Sequence, residues 1–485
     1  MPVNEQPAIL WFRQDLRTDD HAALHAAVAN GRAVQPVFVL DDTSEGEWRI
    51  GGAGRWWLHH SLSALQLQLS ELGAPLLLRR GAAPDVLAAL AHEIGAGSVH
   101  CSLRFEPSGM AQEERVRAAL AKMDVSFTTH TGALLHDPHA LRTGTGVPYK
   151  VYSPFAKSLL AKVEIGSPLA APRFLRGVAK QPVGLPLDSL QLLPSKDWAG
   201  TMRSCWTPGE LGAQKRLAAF VANPVSQYGE ARDFPSQDGT SSLSPHMHWG
   251  ELSPRRVWAD VSRSTAGKSK GATKFLAEIL WREFAAHVLV NFPATVSAPL
   301  RPEFVKFPWQ PSKRHLRAWQ VGRTGYPIVD AGMRQLWATG WMHNRVRMIV
   351  ASFLVKHLLQ SWQDGASWFW DTLCDADLAS NTLGWQLSAG CGADAAPYFR
   401  IFNPILQGEK FDPQGDFVRK WVPELSKVPS EFIHQPWEAP PMVLAASGVV
   451  LGDTYPQPII DHPTARDRAL AALKLVSPEK SSFRE

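Results

Sequence analysis

Four short apolar runs, at residues 8–12, 33–40, 75–79 and 97–102, recur through the first 130 residues. Helical patterns at 20–29, 56–72, 83–94 and 110–122 separate them. Several of the runs are continuously apolar, so they read as strands buried on both faces. Strand–helix alternation of that kind makes a parallel sheet with helices on both sides. A Rossmann-like α/β domain is therefore expected over residues 1–130. The usual dinucleotide fingerprint is missing, because the first strand runs into Arg13-Gln14-Asp15-Leu16-Arg17 with no GxGxxG.

Residues 131–205 read as a linker. Pro168, Pro172, Pro182, Pro186 and Pro194 break any helix in its second half. Beyond it, β-type alternation is rare and helical segments recur at 210–222, 273–292, 327–337, 343–362 and 368–373, with one more at 464–475. A larger all-helical domain is expected over residues 206–485. The length of 485 residues suits two or three domains.

Charge and tryptophan are unevenly placed. Residues 1–200 hold 19 Lys+Arg and 19 Asp+Glu, so the formal net charge of +5 lies wholly beyond them. Of the 19 tryptophans, 14 also lie beyond residue 200. A basic, tryptophan-rich half suits an anionic, flat partner such as nucleic acid. The excess is mild, and an ordinary solvated surface accounts for it equally. Cys101, Cys205, Cys374 and Cys391 form no CxxC pair, so neither zinc nor a redox dithiol is indicated. No signal-peptide pattern and no apolar run near 20 residues is present, so a soluble cytoplasmic protein is expected.

Four stretches carry chemistry. Thr240, Ser241, Ser242, Leu243 and Ser244 precede Pro245, and their hydroxyls suit an anion cradle or a helix cap. Glu278 and Arg282 stand i,i+4 around Trp281 on an apolar helical stretch, which fits a surface ion pair or a carboxylate offered to a base edge. His343 and Asn344 open another apolar helix, as caps or as base-edge contacts. Asp375 and Asp377 lie two apart without histidine, so no metal site is expected. These residues describe a polar, tryptophan-lined pocket and name no reaction.

In their order along the chain, these motifs resemble the photolyase/cryptochrome flavoprotein family. The N-terminal signature is Leu10-Trp11-Phe12-Arg13-Gln14-Asp15-Leu16-Arg17. The C-terminal blocks lie at 240–245, 281–284, 324–330, 340–345 and 394–404, so the likeness spans nearly the whole chain. It implies FAD in the helical domain, with Tyr228 and residues 240–244 at its phosphates. Phe275 stands where the family often has Trp beside the flavin. Asp375 and Arg347 would pair there, Asp377 would lie nearby, and Asn381 would face the flavin N5. A neutral Asn hydrogen-bonds a reduced flavin without adding negative charge.

The resemblance further implies light-driven repair of cyclobutane pyrimidine dimers in UV-damaged DNA, with the dimer flipped out of the duplex. Glu278 would hydrogen-bond the dimer, Trp281 would stack on it, and Asn344 and Met348 would line the pocket. Trp385, Trp362 and Trp309 match the family's electron relay. The pair His343-Asn344 fits the cyclobutane class, since enzymes for the (6-4) photoproduct carry paired histidines. Departures are Leu387 in place of a pocket Trp, and Ser242 in place of a common Arg. For an antenna chromophore Glu106 matches folate-binding relatives, while Ser102 and Ser297 do not. Folate and deazaflavin both stay open. A monomer is expected. The alternative is a blue-light photoreceptor without repair activity.

Overall fold

The computed structural model describes residues 6–395 and 399–476. Residue contacts divide the chain into two compact units. The first comprises Met1–Gly229, Thr240–Asn291 and Cys374–Ala379; the second comprises Glu230–Gly239, Phe292–Leu373 and Ser380–Glu485.

The first unit opens with the expected alternation. Strands β1 (Ala8–Phe12), β2 (Val34–Leu40), β3 (Leu77–Arg80), β4 (Ser98–Ser102) and β5 (Ser126–His130) form one parallel sheet in the order β3-β2-β1-β4-β5. Helices α1 (Ala22–Ala27), α2 (Gly52–Leu72), α3 (Ala83–Ile94) and α4 (Pro107–Ala121) alternate with the strands. β1 is buried at every position, which is why its sequence carries no polar alternation, while β4 is buried throughout although Ser98, His100 and Ser102 alternate along it. Ile9, Trp11, Val37 and Val99 pack with Leu87, Leu90, Val116 and Leu120 in one core cluster. β5 was not expected from sequence. It is an edge strand, Ser-Phe-Thr-Thr-His, with no fully buried residue, so it lacks the apolar signature of the inner strands.

The stretch read as a linker contains a helix, α5 (Tyr152–Lys162). It packs on the long helix Lys270–Asn291 through Phe155, whose ring lies 5.3 Å from Phe284 and 5.0 Å from His287. A second core of this unit gathers Phe220, Tyr228, Leu243, Val257, Phe275 and Ile279.

The second unit is helical among its described residues. One expected helix, 343–362, is divided. Asn344–Ser352 is α-helical, Phe353–His357 widens into a π turn, and the chain reverses at Leu359, whose φ is 50°. A new helix starts at Trp362, with the Ser361 side chain accepting the Gln363 N–H. Apolar periodicity runs through both pieces, so it gave no sign of the break. No helix among the described residues is long and apolar enough to cross a membrane.

His287 ties residues 138–149 to the long helix. Its Nδ1 meets the Pro138 carbonyl at 2.9 Å, and its Nε2 accepts the Tyr149 N–H at 3.0 Å. An acceptor Nε2 requires the neutral ring, and burial pushes its pKa down to about 4. The unfolded chain, with an ordinary histidine near 6.5, binds more protons between those values. Stability should therefore fall as pH drops from 6.5 towards 4. Urea midpoints measured across that range should show a shallower slope in His287→Gln than in the parent; an unchanged slope would remove His287 from this role.

Candidate functional site

In the first unit, the helix Lys270–Asn291 carries Phe275, Glu278 and Trp281 at three-residue spacing. Phe275 is buried and meets the Tyr228 ring edge-on at 5.3 Å. Both belong to the helical core of that unit. Glu278 is partly exposed and pairs with Lys274 at 3.4 Å. The Arg282 guanidinium, expected to share a face with Glu278, donates to the Ala133 carbonyl. Trp281 is half-buried. Its ring stacks on Tyr152, with centroids 3.9 Å apart and planes 5° from parallel, and meets the edge of Phe284 at 5.8 Å.

The hydroxyl run lies in the same unit. Thr240, Ser241 and Ser242 are half-buried, Leu243 is buried and Ser244 is exposed. Thr240 Oγ1 and Ser242 Oγ stand 3.5 Å apart, and Ser241 Oγ accepts the Leu243 N–H at 3.3 Å. Arg216 donates Nε to the Ser241 carbonyl at 2.9 Å. Ser242 holds φ at 51°, a left-handed conformation that costs a non-glycine residue about 1–3 kcal/mol. Clustered hydroxyls braced by a guanidinium are a donor set that fits a phosphate, so these residues fit the phosphate end of FAD. Asp375 is buried and Asp377 half-buried.

A recess sits where β1 and β4 end, among Arg13, Asp15, Arg104, Glu106, His248 and Arg282. Strand order reverses between β1 and β4, and the carboxyl ends at such a switch point are where open α/β sheets place ligands. Burial works against the Glu106 charge, but the Arg104 guanidinium, with Nε at 3.1 Å, holds its carboxyl below the usual range. Arg13 is buried and donates to Glu113 at 2.7 Å, while its Nε and Nη1 lack partners among the described residues. These unused donors fit a polar or anionic ligand. Among the site residues foreseen from sequence only Glu106 and Asp377 line this recess; Arg104 and His248 carry no local motif that would have marked them.

The second unit holds the remaining candidates. His343 is the N-cap of helix Asn344–Ser352, with Nδ1 accepting the Arg345 N–H at 3.2 Å, so its capping reading stands. Burial pushes its pKa down to about 4. Asn344 is exposed, and Arg347 and Met348 are half-buried. Arg347 donates Nε to the Met342 carbonyl at 2.7 Å. Asn381 donates Nδ2 to the Ala366 carbonyl at 3.0 Å. Trp385 and Trp362 are buried and Trp309 is half-buried. Trp385 stands edge-on to Phe369 at 5.0 Å, and Trp309 lies 4.5 Å from Phe307. Of the block at 394–404, Ala396, Pro397 and Tyr398 lie outside the described residues.

Gly365 explains how closely Trp385 approaches its neighbouring helix. A Cβ at that position would overlap the indole ring. Gly365→Ala should displace Trp385 and destabilise the protein by about 1–3 kcal/mol, read from the urea midpoint and the tryptophan emission. An unshifted emission with parental stability would contradict that packing.

Comparison with known proteins agrees with this arrangement. Residues 8–173 match the family DNA photolyase, and residues 275–475 match the FAD binding domain of DNA photolyase. The deoxyribodipyrimidine photo-lyase of Agrobacterium fabrum is 48% identical, over 98% of this chain and 99% of its own length. Cryptochrome-1 of Arabidopsis thaliana is 37% identical, over 96% of this chain and 70% of its own. The crystal structure of a bacterial class III photolyase from Agrobacterium tumefaciens superposes with a TM-score of 0.94 at 46% identity, covering 98% of each chain. Parallel sheet, helical region and motif order thus lead to one conclusion: this chain is a flavoprotein of the photolyase/cryptochrome family.

Proposed function

We propose that this protein repairs cyclobutane pyrimidine dimers in DNA under blue light. The observation that carries the reading is on the helix Lys270–Asn291, where Glu278 and a half-buried Trp281 stand one turn apart on an otherwise largely buried element. A carboxylate beside a flat aromatic matches a base that is both hydrogen-bonded and stacked. The 48% identity to a photo-lyase across 98% of the chain supports the same reading.

The FAD, when bound and reduced, supplies the light-driven electron that opens the cyclobutane ring and is afterwards returned. The chain's own side chains do the rest. Tyr228, Thr240, Ser241, Ser242 and Ser244 bind the phosphate end. Phe275 packs beside them, Asp375 and Asp377 offer negative charge to the cofactor, and Arg347 offers positive charge. Asn381 offers an uncharged amide there, so negative charge nearby is not opposed. Glu278 hydrogen-bonds the pyrimidine edge and Trp281 stacks on it, and Asn344 and Met348 are further contacts for the dimer. Trp385, Trp362 and Trp309 serve as the relay by which oxidised cofactor is recharged. The switch-point recess with Glu106 is the place for an antenna chromophore, folate or deazaflavin. Stacking is worth about 1–3 kcal/mol per base, which bounds what Leu387 forfeits relative to a tryptophan.

A second reading, a blue-light photoreceptor without repair, is favoured by Leu387 and by the 37% identity to a plant cryptochrome. One assay separates the two. Purified protein with reduced flavin should remove dimers from UV-irradiated DNA under blue light and not in the dark. Absence of light-dependent loss would leave the photoreceptor reading. Glu278→Ala should lower the repair yield while FAD absorbance is retained, and an unchanged yield would take Glu278 out of its role. Phosphate contacts are counterion-dependent, so affinity for DNA should weaken as salt is raised from 50 to 200 mM, the range over which roughly six or more such contacts lose orders of magnitude.

A further inference from the structure

Trp281 does not stand alone. Tyr152 lies flat against it, and three features make Tyr152 a fixture and not a loose cover. It is the first residue of α5, whose Phe155 is fully buried against the same long helix. Its hydroxyl donates to the Ala277 carbonyl at 2.8 Å. In an α-helix that carbonyl is also the one that accepts the Trp281 N–H, so the hydroxyl grips the very turn that carries the indole. Its ring meets Phe284 edge-on at 6.0 Å, and Phe284 in turn meets Trp281 edge-on. Trp281 is thereby held by one face and one edge while retaining accessible surface.

We propose that Tyr152 is a positioning residue that fixes the plane of Trp281 before substrate arrives, so that the damaged base meets a prepared stacking surface. This rests on the reading of Trp281 as the lesion platform. An indole free to rotate would lose its rotamer freedom on binding; one already clamped does not, and the difference appears as affinity. Because the clamp touches Trp281 and not the phosphates, it should affect damaged DNA and leave undamaged DNA alone.

The test is dark binding of the full chain to a labelled duplex carrying one thymine dimer and to its undamaged twin. Tyr152→Leu should weaken binding of the dimer duplex roughly two- to tenfold and leave the twin unchanged. Tyr152→Phe keeps the aromatic face and should stay within about twofold of the parent. In a Trp281→Ala background, Tyr152→Leu should add no further loss. Near-ultraviolet circular dichroism provides a signature of the coupled rings, expected to persist in Tyr152→Phe and to vanish in Tyr152→Leu, with Tyr152→Met taking its place if the leucine variant does not fold. Parental dimer affinity in Tyr152→Leu, an equal loss for undamaged DNA, or an equal further loss without Trp281 would overturn the proposal. Parental dimer affinity in Trp281→Ala would overturn the reading of Trp281 itself, and the proposal with it.

Discussion

A buried carboxylate organises the first unit. Glu283 has no exposed surface, and its two oxygens are both engaged: Oε2 by His136 Nδ1 at 2.8 Å and Oε1 by the Leu135 N–H at 3.0 Å. Beside it Arg282 reaches the Ala133 carbonyl, and one turn on His287 holds the Pro138 carbonyl. The chain leaving β5 is therefore stitched to the long helix over two consecutive turns. Removing a partner from a buried, hydrogen-bonded carboxylate costs roughly 1–3 kcal/mol or more, because the survivor is left unsatisfied. The helix that bears Phe275, Glu278 and Trp281 thus takes its placement from a polar seam and not from apolar packing alone. That placement is what allows α5 to lay Tyr152 against Trp281.

The same logic recurs around the tryptophans. Their abundance, 19 against 6 tyrosines, suggested a special role for the residue. Most of the work they do is anchoring. Trp57 donates its indole N–H to Glu251 at 2.9 Å, Trp249 to the Cys374 carbonyl at 2.9 Å, and Trp319 to the Val350 carbonyl at 3.0 Å. Each buries a large apolar body and satisfies its one donor across a long sequence separation. Trp249 in this way fastens Cys374, the first residue of the short segment Cys374–Ala379 that belongs to the first unit. Asp375 and Asp377 lie on that segment, so the tryptophan helps to place two acidic side chains.

Polar networks also mark where the first unit departs from a simple layered sheet. Glu210 accepts the backbone N–H groups of Thr18 and Asp19, and Arg17 reaches the Gly250 carbonyl. Asp20 receives Arg255 at 2.6 Å and is held below the ordinary carboxylate range: against the cost of burial, hydrogen bonds from Arg255 and Ser253 prevail. The Arg13–Arg17 signature after β1, where a glycine-rich loop is absent, is therefore largely a structural device. It replaces the dinucleotide turn with charged side chains that bind distant segments of the same unit.

Local physics made much of the protein legible. β1 showed as an apolar run because it is buried on both faces, the long helices showed by period, and the hydroxyl run offered an anion cradle or a helix cap by composition alone. The order of motifs carried the family. What sequence could not decide depends on contacts between distant segments. β5 pairs along one edge only and so lacks an apolar signature. The break between Ser352 and Trp362 arises from a π turn that leaves hydrophobic periodicity intact. Arg13 and Glu106 share a recess because β1 and β4 are neighbours in the sheet, not in the chain. Tyr152 lay inside a stretch read as a linker, and nothing in its neighbourhood points to Trp281. A stacked pair is specified by where two helices come to rest, and only the folded chain brings those rings to 3.9 Å.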